Sequence, residues 1–234
     1  MYNIGMLKDK GLIIGIIATV ILIAGGVFLM SRGSTGTAPG NGTKINSEIL
    51  SPQGAYVTGG IANGSYLAAS SSAKITLVEF GDYQCPACIE YHPLVKQLLS
   101  EYAGQINYVF RNFPLSQHVN APASAYAAEA AGLQGKYWQM HDKIYESTGD
   151  WVALADPKSV FIGYAGLLGL DVKKFTSDID SSDVKKKVQS DMNDGKVINL
   201  SETPTFYIDG VKIKNLTGTY AGLKEAVSTE LSKK

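Results

Sequence analysis

The chain has few cysteines, few histidines and no excess of charge of either sign. Its 234 residues include two cysteines and three histidines, and 21 Lys plus Arg balance 21 Asp plus Glu. A zero net charge argues against a basic nucleic-acid-binding surface. Two cysteines are too few for a disulfide-dense secreted scaffold or a four-thiolate zinc site, although a mixed Cys and His site stays open. Both thiols are therefore available for redox chemistry or for a metal.

One long apolar run lies near the start of the chain. Residues 11–30 carry no charge, and Thr19 is their one polar side chain. At about 1.5 Å per residue, a helix of this length spans the roughly 30 Å hydrocarbon core of a bilayer. A cleaved signal peptide is the alternative, but its apolar region is usually shorter and ends at a small-x-small site, which residues 30–32 do not provide. We expect an uncleaved transmembrane anchor.

The charges that flank this run are nearly balanced. Lys8 and Lys10 precede it, whereas Arg32 and Lys44 follow it. This count mildly favours a cytoplasmic location for residues 1–10.

A polar linker and one folded domain are predicted after the anchor. Residues 31–43 are rich in Gly, Ser and Thr, a composition that buries too little surface to fold. The uncharged stretch 49–73 fits either a loose strand or more linker. We predict a flexible linker over 31–66 and a domain over 67–234.

The domain opens with a β-α-β pattern. Residues 74–80 are rich in β-branched side chains, and the Cys85-Pro86 pair suits the first turn of a helix. Apolar side chains then recur at helical spacing from Cys88 to Tyr102, and residues 106–113 are again typical of a strand. This order favours two parallel strands joined by a helical crossover.

Helical patterns dominate the second half of the chain, over about 116–200. A hairpin follows at Asp209-Gly210, and residues 220–231 form a final amphipathic helix. The fold class is therefore α/β with a helical insertion.

Cys85-Pro86-Ala87-Cys88 lies where the strand gives way to the helix. At a helix N-terminus the dipole stabilises an anion, so the pKa of Cys85 should be lowered. Cys85 is then the exposed thiol that takes part in exchange, and Cys88, at the start of the buried stripe, is the shielded resolving thiol.

Two further readings stay open in this region. His92 follows Cys88 by one helical turn and could complete a Cys85, Cys88, His92 metal site, whereas we expect His118 and His141 to be ordinary surface or helix-face histidines. Glu79 shares a strand face with aliphatic side chains, so it is either a buried carboxyl with a raised pKa that relays a proton for Cys88, or a strand-end residue that reaches water.

Thr203-Pro204 precedes the last hairpin. A proline cannot supply a ladder amide, so it must lie at an edge, a bulge or a turn. Only about 5 to 6% of X-Pro bonds are cis, so sequence alone predicts a trans bond here.

Several segments, taken in order, resemble the DsbA-like thiol:disulfide oxidoreductases. The resemblance covers residues 73–231 and rests on four segments: Val78-Glu79-Phe80-Gly81-Asp82-Tyr83-Gln84-Cys85-Pro86-Ala87-Cys88, Arg111-Asn112-Phe113-Pro114-Leu115, Tyr137-Trp138-Gln139-Met140-His141-Asp142, and Thr203-Pro204-Thr205-Phe206-Tyr207-Ile208-Asp209-Gly210.

The resemblance implies a thioredoxin-like fold with an inserted helical subdomain. It implies Cys85 as nucleophile, Cys88 as resolving thiol and Glu79 as buried acid, with no cofactor beyond the Cys85 to Cys88 disulfide. It also implies helix-packing positions for Trp138 and His141. The residues expected to bind substrate are Pro86, Ala87, Thr203 and Pro204, with a cis bond between the last two. Ala87 departs from the strongly oxidising members, which have histidine there.

The activity implied is disulfide introduction into reduced or unfolded exported proteins, by a single-pass protein whose catalytic domain lies outside the cytoplasm, periplasmic or at the cell surface. Reoxidation by a quinone-linked membrane partner, similar to DsbB or vitamin K epoxide reductase, is implied as well. A reductase or isomerase of the same fold is the alternative, and the Cys/His metal module is a more distant one.

Overall fold

A six-stranded mixed sheet forms the centre of the domain in the computed structural model, which describes residues 44–51 and 54–234. The order of the strands in the sheet is β2-β1-β4-β3-β5-β6. Strands β3 and β4 are parallel, and the other neighbours are antiparallel. The strands are β1 (Val57–Ala62), β2 (Ser65–Ala68), β3 (Ile75–Gly81), β4 (Ile106–Asn112), β5 (Thr205–Ile208) and β6 (Val211–Lys212).

Helices cover the sheet and form one large insertion between β4 and β5. In the described ranges they are α1 (Ser47–Leu50), α2 (Pro86–Glu101), α3 (Ala121–Gly132), α4 (Tyr137–Glu146), α5 (Lys158–Leu167), α6 (Val172–Asp178), α7 (Ser182–Val197) and α8 (Tyr220–Leu231). The insertion consists of α3 to α7 and lies within the predicted span of about 116–200. The prediction of an α/β fold with this helical content is confirmed.

None of these helices combines the length and the apolar composition that crossing a bilayer requires. The predicted anchor, over 11–30, and the cytoplasmic segment, over 1–10, lie outside the described residues.

The β3-α2-β4 unit has the predicted parallel arrangement. Ile75 pairs with Ile106 and Gly81 with Asn112, so the two strands run in register over their whole length. Pro86 occupies the first turn of α2, where the missing amide hydrogen costs nothing. β3 has a neighbouring strand on each side. The residues that follow its carboxyl end, including Cys85, therefore start from the middle of the sheet.

The predicted linker over 31–66 is too long. Residues 47–50 form α1, and β1 and β2 form an antiparallel hairpin that adds to the edge of β4. The hairpin turns at Asn63-Gly64, where both residues have positive φ (50° and 73°). Asn-Gly is a strong signal for a two-residue hairpin turn, because both residues tolerate the left-handed region. The uncharged stretch is thus a hairpin, and the domain begins before residue 67.

The segment that enters the domain packs on one face of the sheet. The amide of Ile45 donates to the carbonyl of Gly210 at 2.7 Å, next to the turn between β5 and β6. Ile45 and Leu50 are buried against Val78 and Tyr207 on that face. These contacts make the segment part of the fold.

A buried ion-pair cluster attaches the insertion to the sheet. Arg111 on β4 is fully buried, and its Nε donates to Asp191 Oδ1 at 2.8 Å while Nη2 donates to Asp194 Oδ2 at 2.6 Å. Its third nitrogen donates to the carbonyl of Ile49 in α1. One guanidinium therefore holds α7, β4 and the entering segment together.

Candidate active site around Cys85 and Cys88

Both cysteines lie at the start of α2, directly beyond the carboxyl end of β3. Cys85 is the N-cap residue, with extended backbone angles, and both cysteines are free thiols. Cys88 is fully buried, as the helical stripe predicts, but Cys85 is only 7% exposed. The expectation of an openly exposed Cys85 is wrong, because the loop that ends in Pro204 covers the sulfur.

The pKa of Cys85 is lowered from its ordinary value to about 5. The largest cause is hydrogen bonding from the Cys88 thiol, which favours the Cys85 thiolate. Burial acts in the opposite direction, and the Thr203 side chain together with the backbone amides of Cys88 and Ala87 adds further donors. The lowered pKa expected at a helix N-terminus is confirmed, with the neighbouring thiol as the largest cause.

Thr203 presents two groups to Cys85 from the opposite side. Its carbonyl accepts the thiol hydrogen of Cys85 at 3.3 Å, and its buried hydroxyl has no hydrogen-bond partner within the described residues. Once the thiol proton leaves, that hydroxyl can donate to the thiolate. The peptide bond from Thr203 to Pro204 is cis, as the resemblance implies and contrary to the base-rate expectation.

The environment of Cys88 has the opposite effect. Burial raises its pKa well above the ordinary value, and the charge of Glu79 and of the Cys85 thiolate raises it further. At neutral pH Cys88 is therefore the protonated member of the pair and Cys85 the ionised one.

Glu79 is buried on β3, and the alternative in which it reaches water is wrong. Its side chain is 3% exposed, and the Tyr108 hydroxyl donates to Oε2 at 2.7 Å. Burial raises the pKa of Glu79 to about 8, although the bond from Tyr108 opposes this shift. A carboxyl with this pKa can hold or release a proton near neutral pH.

The rim around Cys85 contains the four residues expected to bind substrate. Pro86 and Ala87 are exposed, Pro204 is half-buried, and Thr203 is buried. A groove of about 450 Å³ lies beside Pro204 and continues along β5 and β6. Pro204, which lines this groove, directly follows Thr203, whose carbonyl accepts the thiol hydrogen of Cys85.

Asp82 supports the loop that leads to Cys85, and the sequence analysis did not identify this residue. Its buried carboxylate accepts hydrogen bonds from His118 Nδ1 at 2.7 Å and from the amides of Gln84 and Leu115. These bonds tie the loop before Cys85 to the loop after β4. The acidic residue two positions before Gln84 was a usable signal, since Asp commonly caps such turns. Its partner His118 is 36 residues away, so no local sequence pattern indicates this contact.

His92 does not join the cysteines. Its ring stacks on Tyr145 with centroids 4.7 Å apart. Among the described residues, the one set of three potential metal ligands comprises His92, His141 and Asp142, and it includes neither cysteine. The Cys85, Cys88, His92 metal site is therefore not formed.

His141 lies on the buried face of α4, so of the two expected positions the helix-face one is confirmed and the surface one is wrong. It is buried, its Nδ1 is hydrogen-bonded to the Tyr83 hydroxyl at 3.0 Å, and burial lowers its pKa well below the usual value. Burial likewise lowers the pKa of His92 to about 4. Trp138 is also buried and packs on Tyr108, which agrees with the helix-packing positions that the resemblance implies.

Curated proteins similar to this chain include sodium/proton antiporters. The chain is 37% identical over 139 residues to the Na(+)/H(+) antiporter NhaA 1 of Salinispora arenicola, a match that covers 59% of this chain and 20% of the antiporter. NhaA 1 of Mycolicibacterium vanbaalenii is 33% identical over 147 residues, which is 61% of this chain and 23% of the antiporter. The chain thus spans about a fifth of the length of these relatives.

Solved structures with the same fold include BdbD, a thioredoxin-like oxidoreductase and a thiol-disulfide exchange protein. BdbD from Bacillus subtilis has a TM-score of 0.64 and 21% identity, and the match covers 82% of this chain and 98% of BdbD. A thioredoxin-like oxidoreductase from Silicibacter pomeroyi has a TM-score of 0.60 at 22% identity, covering 79% and 96%. The Wolbachia pipientis thiol-disulfide exchange protein α-DsbA2 has 0.60 at 18% identity, covering 78% and 90%.

A family model described as thioredoxin matches residues 63–228, from the first hairpin to the last helix. This match includes the whole β3-α2-β4 unit with the two cysteines, the helical insertion and the loop that carries the cis proline. The chain belongs to the thioredoxin family.

Proposed function

We propose that this protein is a thiol:disulfide oxidoreductase that donates the Cys85 to Cys88 disulfide to reduced proteins. The observation that carries the proposal is the asymmetry of the pair: one thiol at the start of α2 has a pKa of about 5, and its partner one turn later has a raised pKa. A low-pKa thiol beside a shielded one is the arrangement that disulfide exchange requires.

Exchange proceeds in two displacements. A substrate thiolate attacks Cys85 Sγ of the disulfide, the bond between the cysteines breaks, and Cys88 leaves as a thiolate. A second substrate thiolate then attacks the substrate sulfur of the mixed disulfide and displaces the Cys85 thiolate. The substrate loses two electrons and becomes a disulfide, and the Cys85 to Cys88 pair gains them and becomes reduced.

Glu79 supplies the proton that this exchange reaction needs. Cys88 leaves as a thiolate in a buried position where its pKa is raised, so it must be protonated. Glu79, with a pKa of about 8, is protonated at neutral pH and lies close enough for its charge to act on Cys88. In the reverse half-reaction the same carboxylate accepts that proton.

The direction of exchange follows from the thiolate. Interactions that stabilise the Cys85 thiolate stabilise the reduced pair, and a stable reduced form makes the disulfide a better oxidant. We therefore propose the oxidase over the reductase or isomerase. Ala87 offers no side-chain donor to the thiolate, which makes the pair a milder oxidant than one with histidine there.

The proposal includes a location and partners. The apolar run over 11–30 supports a membrane anchor with the domain outside the cytoplasm, where exported proteins with reduced cysteines are the substrates. An anchored oxidase also lies near a quinone-linked membrane partner that can reoxidise it. The antiporter activity in the names of the curated relatives is not part of this proposal, because the chain spans about a fifth of their length.

The test is the equilibrium reduction potential of the full-length chain in glutathione buffers. We expect a value nearer to that of DsbA, about −120 mV, than to that of thioredoxin, about −270 mV. A value at or below that of thioredoxin would make the protein a reductase.

A trapping experiment with reduced ribonuclease A tests the roles of the two cysteines. The Cys88→Ala variant, loaded through Cys85 with a small thiol, should accumulate the mixed disulfide with ribonuclease, whereas Cys85→Ala should form none. Equal trapping by the two variants would contradict the assignment.

A further inference from the structure

Two histidines and an aspartate outside the cysteine site face one another between α2 and α4. His92 lies on α2, and His141 and Asp142 are adjacent on α4. One ligand atom of each lies within 4.8 Å of the other two. We propose that His92, His141 and Asp142 form a binding site for a divalent metal ion of the zinc type.

The spacing of two of the ligand atoms suits a tetrahedral ion, and the His141 ligand atom lies within 4.8 Å of both. His92 Nε2 lies 3.4 Å from Asp142 Oδ1. Two ligands at about 2.0 to 2.1 Å from zinc, at the tetrahedral angle, are roughly 3.4 Å apart. An ion between these two atoms needs almost no movement of either side chain.

His92 Nε2 has a further property that points to a ligand. His92 is 7% exposed, and within the described residues its Nε2 has no hydrogen-bond partner. Buried polar atoms are normally satisfied, so an unpaired nitrogen 3.4 Å from a carboxylate oxygen calls for an explanation. A metal ion bound by that nitrogen's lone pair supplies one.

Hydrogen bonds already orient the other two ligands. Tyr83 is bonded to Nδ1 of His141, which leaves Nε2 of His141 for the metal, and the Tyr66 hydroxyl donates to Asp142 Oδ1 at 2.7 Å. Metal-binding imidazoles and carboxylates generally carry such outer bonds, which fix the ring tautomer and the orientation.

The site has an entry path. A surface cavity of about 390 Å³ is lined by Ile89, His92, Pro93, Lys96, Tyr145 and Glu146. His92 forms part of its wall while Nε2 itself is buried, so an ion reaches Nε2 from this cavity when the His92 ring turns outward.

The ammonium group of Lys96 opposes cation binding at this site. Its Nζ lies 3.0 Å from Asp142 Oδ2 and 2.7 Å from Glu146 Oε1. Lys96 is partly exposed, so it can turn to Glu146 alone when an ion takes Asp142. The ammonium group nevertheless competes with the metal, and its removal should strengthen binding.

The experiment is calorimetric titration of zinc chloride into the full-length chain. Every protein in this titration also carries Cys85→Ser and Cys88→Ser. No thiolate can then bind zinc, and the result is independent of the proposed redox function. We expect one zinc ion per chain, and His92→Ala and Asp142→Asn should each weaken binding at least about tenfold, since each removes a ligand.

Two further variants complete the design. His118→Ala is the matched control, because His118 is the remaining histidine and is bonded to Asp82 instead. It should leave zinc affinity unchanged, and Lys96→Gln should increase it. The absence of saturable binding, or equal affinity in His92→Ala, Asp142→Asn and the parent, overturns the proposal.

Cobalt provides a spectroscopic check of the position. Trp138 packs against His141 with ring centroids 5.4 Å apart, whereas Trp151, the other tryptophan, packs on Phe161. Paramagnetic cobalt at the site should quench the fluorescence of a Trp151→Phe variant, which retains Trp138, more than that of Trp138→Phe. Equal quenching of the two variants places the ion elsewhere.

Discussion

The hydroxyl of Thr203 should help to hold Cys85 in its ionised form, and Thr203→Val tests this directly. Valine keeps the shape of threonine and the carbonyl that faces Cys85, but it removes the buried hydroxyl, which has no hydrogen-bond partner in the described part of the chain. With that donor gone, the thiolate of Cys85 loses one of the interactions that lower its pKa.

The size of the effect follows from the strength of one charge-assisted hydrogen bond. Such bonds contribute about 1.5 to 3 kcal/mol, and the remaining donors to Cys85 compensate in part for the loss, which leaves about 1.4 kcal/mol. That energy is about one pKa unit, so the pKa of Cys85 should rise from about 5 to about 6. At pH 7 the reduced pair is then less stable by the same amount, which lowers the reduction potential by about 30 mV.

The assay is the rate of alkylation of the reduced protein by iodoacetamide as a function of pH, with the modified cysteine identified by mass spectrometry. In the parent we expect Cys85 to react near pH 5 and Cys88 to stay unmodified. Thr205→Val is the matched control, because its hydroxyl donates to the carbonyl of Glu202 at 2.8 Å. If Thr203→Val and the parent share one midpoint, the reasoning about the hydroxyl is refuted.

Four other substitutions have expected outcomes. Burial raises the pKa of Glu79 from 4.5 to about 8, so this residue contributes stability below pH 4.5 that is lost as the pH rises through 8. Relative to Glu79→Gln, the parent's free energy of unfolding in urea should therefore fall by roughly 3 kcal/mol between pH 5 and 8, and a constant difference would contradict this. Arg111→Gln removes the ion pairs of the buried guanidinium with Asp191 and Asp194, and because Lys187 still pairs with Asp191, it should cost about 3 kcal/mol in thermal unfolding. Lys233→Gln removes an exposed ion pair and should cost less than about 0.5 kcal/mol of stability. Equal losses of stability in Lys233→Gln and Arg111→Gln would refute the importance of burial. Ala87→His adds a donor near the Cys85 thiolate and should raise the potential measured in glutathione buffers, so an unchanged or lower value would count against thiolate stabilisation.

Local patterns accounted for the central part of the fold and for the placement of the cysteines. The alternation in β3, the proline at the start of α2 and the helical stripe from Cys88 all concern neighbouring residues, so they can be read from sequence. The N-cap position of Cys85 follows from the same strand-to-helix junction, and so does the burial of Cys88.

Contacts between distant residues could not be read in this way. Thr203 reaches Cys85 across 118 positions, and Arg111 meets Asp191 across 80. Only the family resemblance predicted that a cis proline lies beside the cysteines. The hairpin at Asn63-Gly64 is a different case: its turn signal was present, but the absence of charge around it looked like a continuation of the linker.

The contact of Ile45 with Gly210 fixes the point at which the chain enters the domain. Gly210 follows Asp209, whose side chain accepts from the amide of Thr76 at the start of β3, whereas Cys85 lies beyond the other end of that strand. Seven residues of strand separate the two ends by about 20 Å. A bead, a fluorophore or a surface coupling group attached at residue 44 would lie at the end of the domain opposite the cysteines. Immobilisation through this end should therefore leave Cys85 accessible to proteins in solution, whereas coupling through the loop after β4 should obstruct it.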